Sequence, residues 1–442
     1  MNLSFDKKQA NGTGFLTSEN NPKNRKNSLQ ILVKNLKNFF SLPKGIFSVS
    51  LFGLFLGAST TMIYSQLGLF LKNELHATEA KIALIDGFVE LIAYAVRVFS
   101  GIISDYYMNR KFILIIGCVI TLCMKPLFGL ARSAMMVIFA QSIERIGNGL
   151  QAVPRDALIA DLSDTNTRAQ SFGFCKSFKT FGAFLGTSAA ILIMYLSSCN
   201  YRLVFFCATI PVIIAILCLS QIKENQGKVF SNSLKDPASK LENPFKKKYL
   251  KSLDVSFWKI LALASIFELG HFSESILPIY ASEFIPISVA GSISLFISLG
   301  QVLLCYPIGK LADKYNKRIF IKVCMFFMII SNLLFYTAHM CPYKLLAIVN
   351  IFFASFLWGG QMSSIQGLFL SLISERVDPH LRGTAIGVYY LMVGFAFFIA
   401  SLIGGHLWTD FGFQYAFFYS IAFSIFSLFI FNSLLPRKVE IA

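Results

Sequence analysis

The feature that most limits this chain is a succession of about twelve apolar stretches, each long enough to cross a bilayer as a helix, which takes roughly 20 mostly apolar residues. They run over 46–71, 78–104, 112–131, 134–159, 169–196 and 202–222, and again over 257–282, 288–312, 319–339, 345–374, 384–407 and 415–435. Connections are short except at 223–255, a polar segment with Lys246, Lys247, Lys248 and Lys251 that divides six stretches from six. Composition enters only to support this pattern. Of the 442 residues, 55% are hydrophobic and 14% charged, whereas a soluble domain carries about 25% charged residues. Mean hydropathy is +0.61. These values exclude a disordered chain, a disulfide scaffold and a water-soluble enzyme.

A net charge of +17 would suggest nucleic acid in a soluble protein, but here the basic residues are sorted by loop. Arg110 and Lys111, Arg168, Lys314, Lys317 and Arg318, and Arg376 and Arg382 fall in alternate loops, on the same side as the central segment and the first residues. By the positive-inside rule this side is cytoplasmic and holds both termini. The expectation is a multi-pass protein of the cytoplasmic (inner) membrane with the lipid bilayer as its surroundings and no nucleic-acid partner. The organisation expected is a cytoplasmic tail over 1–43, a six-helix bundle over 44–222, a cytoplasmic linker over 223–255, a second bundle over 256–436 and a short tail over 437–442. Residues 1–27 are polar and lack the apolar core of a signal peptide. Leu29, Leu32, Val33, Leu36, Phe39 and Phe40 recur at helical spacing between lysines, as in an interfacial amphipathic helix or a cytosolic linker.

The chain also repeats itself. Gly101-Ile-Ile-Ser-Asp105-Tyr-Tyr-Met-Asn-Arg110 follows the second stretch and Gly309-Lys-Leu-Ala-Asp313-Lys-Tyr-Asn-Lys-Arg318 follows the eighth; both read G-x-x-[SA]-D-x-Y-x-x-R. Arg168-Ala-Gln-Ser-Phe-Gly173 precedes the fifth stretch and Arg382-Gly-Thr-Ala-Ile-Gly387 the eleventh. Two matched signals in register imply a duplicated six-helix unit.

On these residues the chain resembles the major facilitator superfamily over 44–436. Residues 309–318 are similar to its loop signature. Residues 101–110 depart from it at Tyr106 and Met108, and Asn316 replaces a glycine where asparagine tolerates the left-handed conformation. Arg145-Ile-Gly-Asn148-Gly149 is similar to the family's R-x-x-Q-G pattern. Gly173, Gly182 and Gly186 match the start of its antiporter signature, which Thr187 and Ala190-Ile191 then interrupt. Phe172 to Ala183 resembles a poorly characterised bacterial branch, with Lys179 where that branch has an aspartate. The resemblance implies an all-α membrane protein of twelve transmembrane helices in two pseudo-symmetric halves, with helices 1, 4, 7 and 10 around a central cavity. It implies a monomeric secondary transporter that works by alternating access on a small-molecule solute, without a cofactor.

The loop motif has a physical account. Asp105 ends a helix, where the dipole disfavours a carboxylate, so it calls for compensation by Arg110 or by the start of the helix near Thr384. Asp313 stands likewise to Arg318 and to the helix near Ala169. Such contacts act either as gate latches that form in one access state or as static ion pairs. Gly101 and Gly309 complete this gating motif.

Each charge within the membrane costs roughly 2.5–3.5 kcal/mol on insertion scales and needs a partner or a function. In the second helix Asp86, Glu90 and Arg97 fall within about 40° on a helical wheel. At 1.5 Å per residue, Arg145 lies about 16 Å and Glu90 about 18 Å from the face opposite the basic loops, which predicts a Glu90–Arg145 pair. It serves as a proton-exchanging site or as a permanent staple between helices. Glu268, His271 and Glu274, three apart on a helix read as continuous over 257–282, make Glu268–His271 a proton relay, a substrate clamp or a polar helix contact. Protons are thus expected partners, and Asp86, Glu90, Arg145, Glu268 and His271 the proton-coupling candidates. Asn148, Lys179, Glu274, Gln361 and Tyr64 are candidates for the substrate cavity. Lys125, beside Pro126, is expected to snorkel outward.

Nine cysteines are scattered along the chain, seven of them in apolar stretches, with no metal-ligand spacing, so no metal site is expected. HExxH, GxGD and the phosphate-binding G-x-x-x-x-G-K-[ST] are all missing from the sequence, which argues against a polytopic membrane enzyme and an ATP-driven pump. The intramembrane carboxylates and partial glycine signature favour proton-driven export; Lys179 leaves uptake of a metabolite as the alternative. Replacing Asp105 by Asn is expected to alter transport rate and side-chain accessibility between access states. Unchanged rate and accessibility would reduce the motif to a static turn.

Overall fold

The computed structural model describes residues 44–107, 110–163, 168–221, 253–377 and 382–435. The amphipathic stretch at 29–40, nearly all of the 223–255 segment and the tail at 437–442 lie outside the described residues. All regular structure among the described residues is helical.

Twelve spans follow in order. They are α1 (Lys44–Asn73), α2 (Glu79–Tyr107), α3 (Arg110–Leu130), α4 (Ala134–Leu162), α5 (Arg168–Leu196) and the paired α6 (Tyr201–Cys207) and α7 (Thr209–Ser220). In the second half come α8 (Val255–Glu268) with α9 (Leu277–Ala281), α10 (Ile287–Ala290) with α11 (Ser292–Lys314), α12 (Lys317–Met340), α13 (Lys344–Arg376), α14 (Arg382–Phe411) and α15 (Phe413–Leu434). Short polar residues start several of them. Ser133, Asn200, Asp254 and Asn316 each accept a hydrogen bond from a backbone N–H of the first turn. Side-chain and backbone hydrogen bonds from Ser256, and one from the Val255 N–H, hold the exposed Asp254 carboxyl below its usual range. Asn316 reaches its cap through extended backbone at φ −161°, so the left-handed conformation expected there is not used. The break between α6 and α7 follows from Pro211, which has no N–H to give to the carbonyl of Cys207. Gly412, at φ +104°, makes the one-residue turn from α14 to α15, a conformation that glycine alone adopts freely.

Nine helices among the described residues are long and apolar enough to cross a membrane. The spans missing from that set are α2, α4 and the divided α8–α9, and these three carry the charged residues that line the cavity.

Neighbours repeat between the halves: α2 packs on α4 as α11 packs on α13, α3 on α4 as α12 on α13, and α1 on α5 as α8 on α14. Where backbones approach most closely, glycine is required. A Cβ at Gly182 would sit 2.0 Å from the Leu54 carbonyl oxygen and one at Gly186 2.1 Å from that of Ala58, which lets α5 lie directly on α1.

The halves meet along α2 and α14, which run antiparallel. Ala80 N–H donates to Thr409 Oγ1 at 2.9 Å. Gly405 lies on Ala83, Gly87 on Ser401, Gly394 on Tyr94 and Gly387 on Val98. Tyr94 and Tyr390 stack at 5.6 Å between ring centres. A second meeting point lies nearer the face that holds the 74–78 and 282–286 connections. There a Cβ at Gly68 of α1 would sit 2.1 Å from the Ser275 carbonyl oxygen, and Gly291 rests on Gln66. Gly68→Val should force α1 from the turn at Ser275, moving spin labels at Lys81 and Glu283 to longer distances. An unchanged distance distribution would mean that the halves do not depend on this approach.

Candidate functional site

Between the halves lies a cavity of about 280 Å³. Its wall takes Thr60, Thr61 and Tyr64 from α1, Asp86, Glu90 and Tyr94 from α2, and Arg145 from α4; the second half adds Glu268, His271, Glu274, Trp358 and Phe397. Three of the spans in this wall are those that fall short of the apolar criterion, so the departure from hydropathy and the cavity are one feature.

The predicted Glu90–Arg145 pair is present, with Arg145 Nη2 3.2 Å from Glu90 Oε2. Depth counting succeeded because α2 and α4 are helical without interruption across these positions. The guanidinium also stands 4.5 Å from the centre of the Tyr64 ring, a cation–π contact. Tyr64 donates to Glu144 Oε2 at 3.3 Å, and Glu144 Oε1 accepts from Lys125 Nζ at 2.5 Å. Lys125 and Glu144 are fully buried. Lys125 therefore turns inward to a carboxylate rather than snorkelling outward, because Glu144 on the adjacent helix would otherwise be a buried charge without compensation. A continuous chain, Lys125–Glu144–Tyr64–Arg145–Glu90, links α3, α4, α1 and α2.

In the other half the seventh span is not one helix. α8 stops at Glu268, residues 269–273 are non-helical, and a 3-10 turn over Glu274–Ile276 leads into α9. Pro278 sits in the first turn of α9 and has no N–H for the carbonyl of Glu274. A Cβ at Gly270 would meet Phe423 at 3.0 Å and the Ser420 carbonyl at 3.2 Å, so glycine lets α15 close on the bend. The expectation of Glu268, His271 and Glu274 on one helical face is thereby corrected, although all three line the cavity. Broken helices are tolerated at membrane depth where they border a cavity.

The bend has two consequences. His271 Nδ1 comes 3.5 Å from Glu268 Oε2, and Gln361 Nε2 lies 2.6 Å from His271 Nε2. With the amide donating, the ring proton rests on Nδ1 and faces the carboxylate. Glu268 and His271 also border a second chamber of about 50 Å³ with Tyr94, Gln366 and Tyr389, large enough for water. On the far side of the bend, Ser273 and Ser275 donate to Asp86 Oδ2 at 2.7 and 3.0 Å. A carboxylate of the first half is thus held by two hydroxyls of the second. Serines near a proline were the available signal, but nothing in the spacing joined them to Asp86.

Other candidates fall elsewhere. Asn148 stands apart from the cavity wall, accepting from Thr121 Oγ1 of α3 at 3.5 Å. Lys179 is exposed beside α1 at Gly57. Its charged neighbours include Arg155, Arg97 and Asp156, and Arg97 and Asp156 also face Tyr390 of the other half. These residues form a mainly basic vestibule between the cavity and the face that carries the loop motifs. Gly101 and Asp105 stand in the last turns of α2 and Asp313 in the last turn of α11; their surroundings lie outside the described residues. Arg110 opens α3. A Cβ at Gly309 would meet nothing within 4 Å. Arg318 donates to the Leu435 carbonyl at the end of α15.

A two-fold repeat of six membrane helices around a charged midplane cavity defines a secondary transporter rather than an enzyme. The sequence profile of the Major Facilitator Superfamily matches residues 49–401, and the chain belongs to this family. It is 26% identical over 391 residues to an uncharacterised MFS-type transporter of Methanocaldococcus jannaschii, covering 87% of this chain and 93% of that protein. It is 25% identical to a probable 4-methylmuconolactone transporter of Cupriavidus pinatubonensis over 42% of this chain and 44% of that one. The fold is shared with a peptide transporter solved in complex with sulfate, at a TM-score of 0.74 and 13% identity over 90% of this chain and 96% of that one. A D-xylose–proton symporter superposes at a TM-score of 0.68 with 15% identity over 89% and 98%.

Removing one partner of a fully buried pair typically costs about 3–5 kcal/mol. Lys125→Met is therefore expected to lower the unfolding free energy by that order, and Lys125→Met with Glu144→Gln to recover most of it. Equal losses in the single and double variants, measured by thermal unfolding in detergent, would remove the pair from the stability account.

Proposed function

We propose that this transporter exchanges protons for a small solute across the cytoplasmic membrane, as a monomer with both termini in the cytoplasm and with export as its working direction. The observation that carries the reading is the Glu90–Arg145 pair in a midplane cavity that also holds Asp86, Glu268 and Glu274. Carboxylates at this depth are expensive unless they are paired or serve transport, and the Arg145 pair accounts for one of the four.

The bundles at 44–222 and 256–436 act as the two moving bodies, joined by the 223–255 linker. Protonation of Glu90 removes the attraction that ties Arg145 to α2 and leaves the guanidinium with Tyr64. Glu268 and His271 accept and return a proton beside the smaller chamber. The hydroxyls of Ser273 and Ser275 hold Asp86 while the halves are joined at this level and let it go as they part. At the other face the Asp105–Arg110 and Asp313–Arg318 motifs latch the opposite state. Gly182 and Gly186, seated on α1, carry the partial antiporter signature and support exchange over symport; the basic vestibule at Arg97, Arg155 and Lys179 supports cytoplasmic orientation of that face.

A solute identified by thermal shift at two pH values is expected to move in proteoliposomes under an imposed pH gradient, and to stop moving when a protonophore collapses it. Glu90→Gln should reduce gradient-driven flux about tenfold or more, the scale of a coupling free energy of 1–3 kcal/mol, while solute counterflow persists. Flux indifferent to the gradient would overturn proton coupling. Accumulation together with protons would overturn export.

A further inference from the structure

Resting on the transporter reading above, we propose that the central cavity binds an organic cation, held between Glu274 of one half and Asp86 of the other. The argument begins with charge balance. Four carboxylates face the cavity, Asp86, Glu90, Glu268 and Glu274, against one guanidinium, Arg145, and one imidazole, His271. Arg145 is engaged by Glu90 at 3.2 Å and by the face of Tyr64, and Glu268 has His271 at 3.5 Å. Asp86 and Glu274 have no cationic partner within ion-pair distance among the described residues; Asp86 accepts only from two serine hydroxyls. Glu274 Oε2 is buried without a hydrogen-bond partner. The charged groups that face Glu274 are Asp86, Glu90 and Arg145. His271, 3% exposed, directs Nδ1 at Glu268 Oε2 3.5 Å away without closing a hydrogen bond.

Asp86 and Glu274 belong to opposite halves, and Asp86 is held by the two serines that flank Glu274. Ionised and unaccompanied, they repel across the interface. A positive charge between them turns that repulsion into a bridge, so the ligand that fits is also one that favours joining of the halves. The wall explains why the cation is organic. Tyr64, Phe272, Trp358, Phe397 and Met362 surround the carboxylates, and aromatic faces attract a poorly hydrated ammonium, whereas small inorganic ions require a shell of oxygens. Among the described residues no three His, Cys, Asp or Glu side chains converge on a metal position. A volume of about 280 Å³ suits one aromatic ring bearing a quaternary ammonium. An organic anion would find Arg97, Arg155 and Lys179 in the vestibule with Asp156 among them, while the central cavity presents it with four carboxylates.

The test uses the full chain in nanodiscs and three single-ring probes: benzyltrimethylammonium, phenylacetate and neutral N,N-dimethylbenzamide. Saturable binding of the cation, at least tenfold tighter than either other probe, is expected. Glu274→Gln should weaken it tenfold or more, and Glu274→Asp should keep it within a few-fold; Asp86→Asn supplies the second variant if Glu274→Gln does not fold. Preference for phenylacetate or the amide, no binding of the cation, or displacement of the cation by NaCl but not by KCl would each overturn the proposal. Anion preference with gradient-driven flux intact would refute only the substrate class. Cation preference without gradient-driven flux would refute only the proton coupling.

Discussion

A guanidinium at the centre of a membrane bundle has to be compensated, and much of the first half is arranged around that requirement at Arg145. Glu90 supplies the opposite charge from α2 and Tyr64 a π face from α1. Tyr64 in turn reaches Glu144, which is balanced by Lys125 of α3. Four helices are thus positioned by one chain of electrostatic contacts with its fully buried end, Lys125–Glu144, away from the cavity and its partly exposed end, Glu90, within it. That gradient of burial is what allows one end to be structural while the other takes part in chemistry.

The second half solves a different problem. Among its described residues no arginine is buried, and its polar groups are organised by a break in the chain instead. Stopping α8 at Glu268 frees backbone and side-chain groups at midplane depth, and turns Glu268 and His271 toward one chamber while Ser273, Glu274 and Ser275 face the first half. The pseudo-symmetry of the fold is therefore one of helix placement, with unlike chemistry on the two sides of the cavity. Such asymmetry gives a transporter separate places for coupling and for recognition.

The fold was legible because bilayer thickness imposes a length on every span and because the loop and helix-start motifs recur in register. The Glu90–Arg145 pair was legible because two uninterrupted helices convert residue counts directly into depth. Lys125 was not: its Cα and that of Glu144 differ in depth by about 7 Å on the same count, a gap closed only by the long lysine stem, and proximity to a helix end suggested water instead. The bend at 269–273 was hidden because an apolar count does not distinguish a continuous helix from a broken one, although Pro278 was the physical sign of it. Asn148 carries a family motif, yet helix rotation turns it to α3. For Asp105 and Asp313 the sequence remains the guide.

The contact between α2 and α14 has a mechanical consequence. Its residue pairs keep nearly constant register, from Ala80 with Thr409 through Gly87 with Ser401 to Tyr94 with Gly394 and Val98 with Gly387. Small residues face one another from Ala80 to Gly87, and glycines face Tyr94 and Val98 beyond, so a slip along the line would drive side chains into backbone. Rolling about the line keeps this register while opening the second contact, at Gly68 and Ser275. The two bundles are consequently geared together: they can tilt, but they cannot shear, and a change in tilt at the midplane becomes a larger displacement at the ends of the helices.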